Sequence, residues 1–159
     1  MKKEDLLSDE FLKQFKTGED LYGFLAQLQK RGLEKMLEGE LDAHLGYDKH
    51  EKTTKTNARN GFSNKKIKTS FGESEIQVPR DRDASFNPLI VPKRQNMLDG
   101  LENVIVSLYA KGMSNSDIEE QIREVYNFEV STSTISRITD TVSSDIIAWQ
   151  NRPLEAVYL

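Results

Sequence analysis

Cysteine is absent from the 159-residue chain, which excludes disulfides and thiolate metal sites and fits a reducing interior. Long apolar runs are absent too, so no segment is expected to span a membrane, and the N-terminus Met1-Lys2-Lys3-Glu4-Asp5 lacks a signal-peptide core. These absences lead us to expect a soluble, cytoplasmic protein. Apolar residues make up 36% and charged residues 30%, a lean composition that supports one ordinary domain or two small ones with a modest core. A net positive charge is also missing, because the formal charge is −4. That value looks unsuited to nucleic acid until it is resolved along the chain. Residues 1–48 carry 7 basic and 11 acidic side chains, residues 49–94 carry 11 and 5, and residues 95–159 carry 4 and 10. The positive charge is concentrated in the middle, as a phosphate-facing surface requires.

The strongest pattern lies between Leu101 and Trp149 and predicts a helix-turn-helix. Leu101, Val104, Ile105, Leu108 and Tyr109 recur on one helix face, and Gly112 stands where a helix stop suits glycine. Ser114 with Asp117, or Ser116 with Glu119, would cap a second helix that carries Ile118, Ile122, Val125 and Tyr126 on one side. Asn127 to Val130 is a short break. Ser131 or Ser133 then caps a third helix with Ile135, Ile138, Val142, Ile146 and Trp149 as its buried stripe. Ser133, Thr134, Ser136 and Arg137 at its start suit a helix end that meets phosphates and base edges. The competing reading is that the hydroxyls only cap a packing helix.

Residues 1–48 read as helical, with breaks plausible at Gly32 and Gly39. Leu33, Met36, Leu37 and Leu41 face either their own chain or a second copy, which makes this a candidate dimerisation segment. His44 and His50 with Asp42 and Asp48 invite a metal reading. Their spacing is irregular and cysteine is absent, so no metal ligand is assigned. Residues 49–94 read as a polar basic arm (Lys49 to Asn64), a β-hairpin and a linker. Ile67, Thr69 and Phe71 alternate in one strand, Ser70, Gly72 and Glu73 form the turn, and Ile76 and Val78 alternate with Gln77 and Pro79 in the other. Arg59, Lys65, Lys66, Lys68, Arg80 and Arg82 form a candidate DNA-backbone surface, with a merely solvated face as the alternative. Pro88 and Pro92 disfavour helix in the linker, where Phe86, Leu89, Ile90 and Val91 are expected to tuck against the core. Residues 95–150 hold the helix-turn-helix. Residues 151–159 read as the start of a strand, Leu154 to Leu159, without a partner of its own.

Several short motifs occur together in order. Leu41-Asp-Ala-His-Leu-Gly-Tyr47, Arg59-Asn-Gly61, and Val78-Pro-Arg80 with Phe86 and Pro88 are followed by Gly112-Met-Ser114, Ser133-Thr-Ile-Ser-Arg137 and Pro153-Leu154. The set resembles the N-terminal half of the Mutator-type transposases of bacterial insertion sequences, over nearly the whole chain. That resemblance implies that the terminal strand opens an RNase H-like domain, whose Asp-Asp-Glu triad holds two magnesium ions in the full-length family. None of those carboxylates is assignable here; Asp99, Asp140 and Asp145 read as surface or capping groups. The expectation is therefore a mainly α protein with one β-hairpin, without catalytic residues or a cofactor of its own. It is expected to recognise the double-stranded DNA of transposon ends, as a homodimer, without cutting it. A helix-turn-helix transcription regulator and a protein-interaction module remain alternatives. Half-sites one helical turn apart would favour the regulator, and terminal inverted repeats the transposase.

Overall fold

A computed structural model of the chain describes residues 3–51, 54–98 and 100–151. Helices and one two-stranded antiparallel hairpin make up the fold, in the order α1 (Lys3–Leu6), α2 (Asp9–Leu12), α3 (Gly18–Leu45), β1 (Arg59–Thr69), β2 (Gly72–Asp81), α4 (Leu101–Ala110), α5 (Asn115–Tyr126) and α6 (Thr132–Gln150). The chain divides into two compact units, Met1–Asn96 and Met97–Leu159. No helix among the described residues is long and apolar enough to cross a membrane. The expected strand Leu154 to Leu159, and Asp99, lie outside the described residues, as do the side chains of Asp145, Ile146 and Trp149.

In the first unit, α3 runs unbroken for 28 residues through Gly32 and Gly39, where breaks were expected. Glycine in a helix interior costs about 1 kcal/mol each. That cost is offset at both ends and along one face. Thr17 and Asp20 form a full capping box, and Gly46 closes the helix in the left-handed region at φ +70°. The Lys55 ammonium donates to the carbonyls of Leu45 (2.7 Å) and Gly46 (3.1 Å), a cation where the helix dipole favours one. Leu37, Leu41 and Leu45 recur every four residues and are buried, each contributing about 1.5–3 kcal/mol. Met36 is exposed, so the leucine-rich stripe divides between this chain's own core and solvent. At the N-terminal end, Phe11 and Phe15 meet Phe24 at 5.2 and 5.3 Å between ring centroids, docking the segment around α2 onto α3.

Strand β1 begins at Arg59, inside the stretch expected to be a loose arm. Asn64 pairs with Gln77, Ser63 with Val78 and Phe62 with Pro79, so backbone pairing rather than apolar alternation defines this half of the strand. A register shift between Arg59 and Phe62 is taken up at Gly61, whose φ of +68° suits a β-bulge. The turn consists of Ser70 and Phe71, since Thr69 pairs with Gly72; Phe71 therefore belongs to the turn and not to the strand's alternation. Ile67 and Ile76 are buried on one face of the hairpin. On the other face α3 packs against β2, and the Glu34 carboxylate accepts from the Gln77 amide at 3.0 Å. Residues 1–48 and 49–94 accordingly share one unit. In the linker, Phe86 and Val91 are buried as expected, whereas Leu89 is 81% exposed. The backbone is held there instead, because the Glu40 carboxylate accepts from the amides of Leu89 and Ile90, each at 3.1 Å.

The second unit packs α4 and α5 against α6. Its core contains Met97, Leu101, Ile105, Ile118, Ile122, Phe128, Val130, Ile135 and Ile138. Phe128 and Val130 come from the segment read as a mere break, while Tyr109 and Val125, expected on buried faces, are 45% and 60% exposed. Ser114 and Asp117 form the capping box of α5, and Asn127 ends that helix at φ +54°. Ser131 caps α6, its hydroxyl accepting from the Thr134 amide at 3.3 Å and its carbonyl from the Ile135 amide at 3.0 Å.

Candidate nucleic-acid interface

The basic residues of the first unit separate according to what already holds them. Arg59 donates to the Asp42 carboxylate and to the Tyr47 carbonyl (2.9 Å), and its guanidinium lies over the Tyr47 ring at 4.8 Å. It ties β1 to the end of α3, with one terminal guanidinium nitrogen making both bonds and Asp42 balancing its charge. Lys65 donates to the Pro92 carbonyl and staples the hairpin to the linker; burial lowers its pKa. Lys66 and Lys68 share the face opposite to Lys65 by register. Glu75 stands directly across from Lys66 and Glu73 from Lys68, and the Lys66 nitrogen lies 3.8 Å from Glu73. Charges on that face are therefore balanced across the strands.

Arg80 and Arg82 have a different setting. Both line a concave groove of about 450 Å³, together with Lys65 and Lys93. Two-residue spacing puts Arg80 on the same face of β2 as Val78. Arg82 follows just past the strand, where its amide donates to the Ala58 carbonyl at 2.8 Å. Val78, Phe86, Pro88 and Val91 supply the apolar part of the lining. The groove's one carboxylate, Asp81, is buried and saturated. It accepts from Asn57 Nδ2 (2.8 Å), Ser85 Oγ (2.6 Å), and the amides of Ser85 and Phe86 (both 3.1 Å). Burial alone would raise its pKa; the donors outweigh burial and hold it far below the usual carboxylate range.

His44 joins this network, with Nε2 2.9 Å from Ser85 Oγ and 3.7 Å from the Asp81 carboxylate. A histidine, a serine and an aspartate in contact suggest a nucleophile, but their order is wrong for one. The Ser85 proton goes to Asp81, so the ring serves Ser85 as an N–H donor and no base activates the hydroxyl. The trio locks the loop after β2 onto α3. Nothing in the sequence spacing announced it, since His44 and Ser85 are 41 residues apart.

In the second unit the four α6 residues separate in the same way. Ser136 Oγ accepts from Asn115 Nδ2 at 2.8 Å, linking α6 to the first turn of α5. The Ser131 hydroxyl lies 2.9 Å from that of Ser133 and 3.0 Å from that of Thr134, within the cap. Arg137 is exposed, and no partner for it occurs among the described residues. Helical periodicity turns it away from buried Ile135 and Ile138 and onto the face of Ser133, one turn earlier. Asp140 is exposed three residues further along.

The class of protein to which these units belong is given by comparison with known families: the whole chain, residues 1–159, matches the family described as Transposase, Mutator family, and belongs to it. More particularly, it is similar to the transposase for insertion sequence element ISRM3 of Rhizobium meliloti, with 38% identity over 136 residues that cover 86% of this chain and 34% of that protein. It is also similar to the transposase for insertion sequence element IS905 of Lactococcus lactis, with 31% identity over 157 residues, or 91% of this chain and 40% of that one. The transposase for insertion sequence element IS256 in transposon Tn4001 of Staphylococcus aureus matches at 27% identity over 120 residues, 75% of this chain and 31% of that one. The chain thus spans about a third of the length of these relatives and corresponds to an N-terminal portion of them.

Proposed function

We propose that this chain recognises double-stranded DNA at transposon ends, the terminal inverted repeats, on behalf of a Mutator-family transposase, and that α4 to α6 act as a helix-turn-helix with α6 as the recognition helix. One observation carries the reading. Arg137 stands exposed and unpaired, among the described residues, one turn into a helix whose opposite face is fixed in the core through Ile135 and Ile138. A rigid helix that presents an arginine in its first turns suits entry into the major groove, where a guanidinium can bond a guanine edge through two hydrogen bonds. Ser133 and Thr134 lie at the same helix start, where hydroxyls and backbone amides meet phosphate oxygens. Arg80 and Arg82 of the hairpin segment add sequence-independent contacts to the backbone.

Homodimerisation belongs to the same proposal, since Leu21, Tyr22, Leu28 and Met36 leave apolar surface exposed along α3. Sedimentation of Tyr22→Lys/Leu28→Lys beside the parent chain tests it. A parent that sediments as a monomer at tens of micromolar removes the dimer.

Titration of labelled duplex tests the main reading. The terminal inverted repeat should bind at least tenfold more tightly than a scrambled duplex of equal composition, at fixed salt. Equal affinity for the two would refute recognition of transposon ends. Preference for a palindrome with half-sites one helical turn apart would replace the transposon ends with a regulator's operator.

A further inference from the structure

We infer that the groove between the hairpin and the linker, lined by Lys65, Arg80, Arg82 and Lys93, is a binding site for the phosphodiester backbone of duplex DNA, and that the hairpin meets DNA with this face alone. The inference rests on the reading that the ligand of this chain is DNA, and it identifies the side chains that hold the backbone.

The first reason is electrostatic. Of the cations on the hairpin, Arg59 is engaged by Asp42, while Lys66 and Lys68 stand across from Glu75 and Glu73. Arg80, Arg82 and Lys93 are exposed, with no ion-pair partner among the described residues. The groove's own carboxylate, Asp81, already accepts four hydrogen bonds, and its buried position turns it towards the loop. An excess of positive charge is therefore left on one face, and a polyanion is its complement.

The second reason is shape. The groove is concave, and its apolar lining of Val78, Phe86, Pro88 and Val91 keeps part of it low in dielectric, where an ion contact is stronger than on an open surface. Asn60 and Asn64 line the same groove from β1 and offer side-chain amide donors to phosphate oxygens. The third reason is rigidity. The Arg82 amide is fixed to the Ala58 carbonyl, the Asp83 amide to Asn57 Oδ1 at 3.3 Å, and the linker wall is stapled by Lys65 to Pro92. A preformed wall loses little freedom on binding. Lys93 had no place in the sequence-based set of DNA contacts; it enters because the linker folds back beside β2.

The test uses the full chain and a labelled random-sequence duplex, with affinity measured across a salt series. Arg80→Gln/Arg82→Gln/Lys93→Gln should reduce the log–log salt slope by about two to three units, since each B-DNA phosphate contact contributes roughly 0.9. Lys66→Gln/Lys68→Gln should change it by less than about one unit. The charge-preserving Arg80→Lys/Arg82→Lys/Lys93→Arg should keep the parent slope, which separates loss of charge from loss of fold. An unchanged slope in the Gln triple variant, or an equal loss in the Lys66/Lys68 variant, would overturn the inference. Displacement of the duplex by millimolar inorganic phosphate at constant ionic strength would also overturn it, because the groove would then be a small-anion site. The cognate-to-random ratio should remain at the parent value in the Gln triple variant. That ratio reports base reading by α6, so failure of the recognition helix and failure of the groove are read on different axes.

Discussion

The two units hold together by different means. In Met1–Asn96, polar side chains reach across long stretches of sequence: Asp42 to Arg59, Glu40 to the amides of Leu89 and Ile90, Lys55 to the end of α3, and Asp81 to Asn57 and Ser85. In Met97–Leu159, a continuous apolar core holds the helices together, and apart from the Asn115–Ser136 bond polar groups act mainly as local caps at Ser114 and Ser131. The difference shows that charge content alone does not say which cations are left without a partner. The first unit contains the basic segment of the chain, yet several of its cations serve its own fold. The second lies in a segment with a formal balance of −6, yet on α6 it presents an arginine that no described residue neutralises.

Substitutions can sharpen that contrast, beginning with the largest effect. Ile105→Ala or Ile118→Ala, both at fully buried positions in the second unit, should cost about 3–4 kcal/mol through lost burial and an unfilled cavity. Urea unfolding followed by circular dichroism measures this; a loss under 1 kcal/mol would mean that the core is less tightly packed than described. In the first unit the corresponding change is polar. Asp81→Ala leaves four donors without an acceptor and should cost about 3 kcal/mol by the same measurement.

Acid distinguishes the units next. The native pKa of Asp81 is depressed, so its contribution is fully present above the unfolded-state pKa of about 4 and is lost as pH falls towards the native value. Between about pH 5 and pH 3 the parent should therefore lose stability that Asp81→Asn no longer has to lose. A parallel decline in parent and variant would remove Asp81 as the cause. The Asp117 carboxyl in the α5 cap is also lowered, by its hydrogen bonds to Ser114, but it is exposed and its effect should be the smaller. Smallest in the series is Ser114→Ala, which removes the side-chain half of that cap at a cost of about 1 kcal/mol.

Much of this architecture was legible in the sequence, because period and punctuation act locally. The buried pairs Leu101/Ile105, Ile118/Ile122 and Ile135/Ile138, the Ser114–Asp117 box and the hairpin all appear as residue spacings. What stayed hidden depended on partners far along the chain. Gly32 and Gly39 signal breaks, yet packing of Leu37, Leu41 and Leu45 and the Lys55 cap outweigh them. Arg59 to Asn64 carries no strand pattern because β2, and not its own side-chain alternation, makes it a strand. The motif Leu41 to Tyr47 served in the sequence as a family mark. In the structure it supplies Asp42 for Arg59, His44 for Ser85 and a Tyr47 hydroxyl that donates to the Asn57 carbonyl at 3.2 Å. The candidate site was half legible: Arg137 and Arg80 were visible as charges, but which cations remain free depends on where Glu73, Glu75 and Asp42 stand in the fold.

Under the proposed function, α6 reads DNA sequence and Arg137 does the reading. The most direct test is the affinity ratio of terminal-repeat duplex to random duplex for Arg137→Ala against the parent chain, at one salt concentration. Losing one guanidinium contact to a base edge should cost about 1–3 kcal/mol on the cognate duplex and little on the random one, so the ratio should fall by roughly 5- to 150-fold. A ratio unchanged from the parent would contradict the assignment of α6 as the recognition helix.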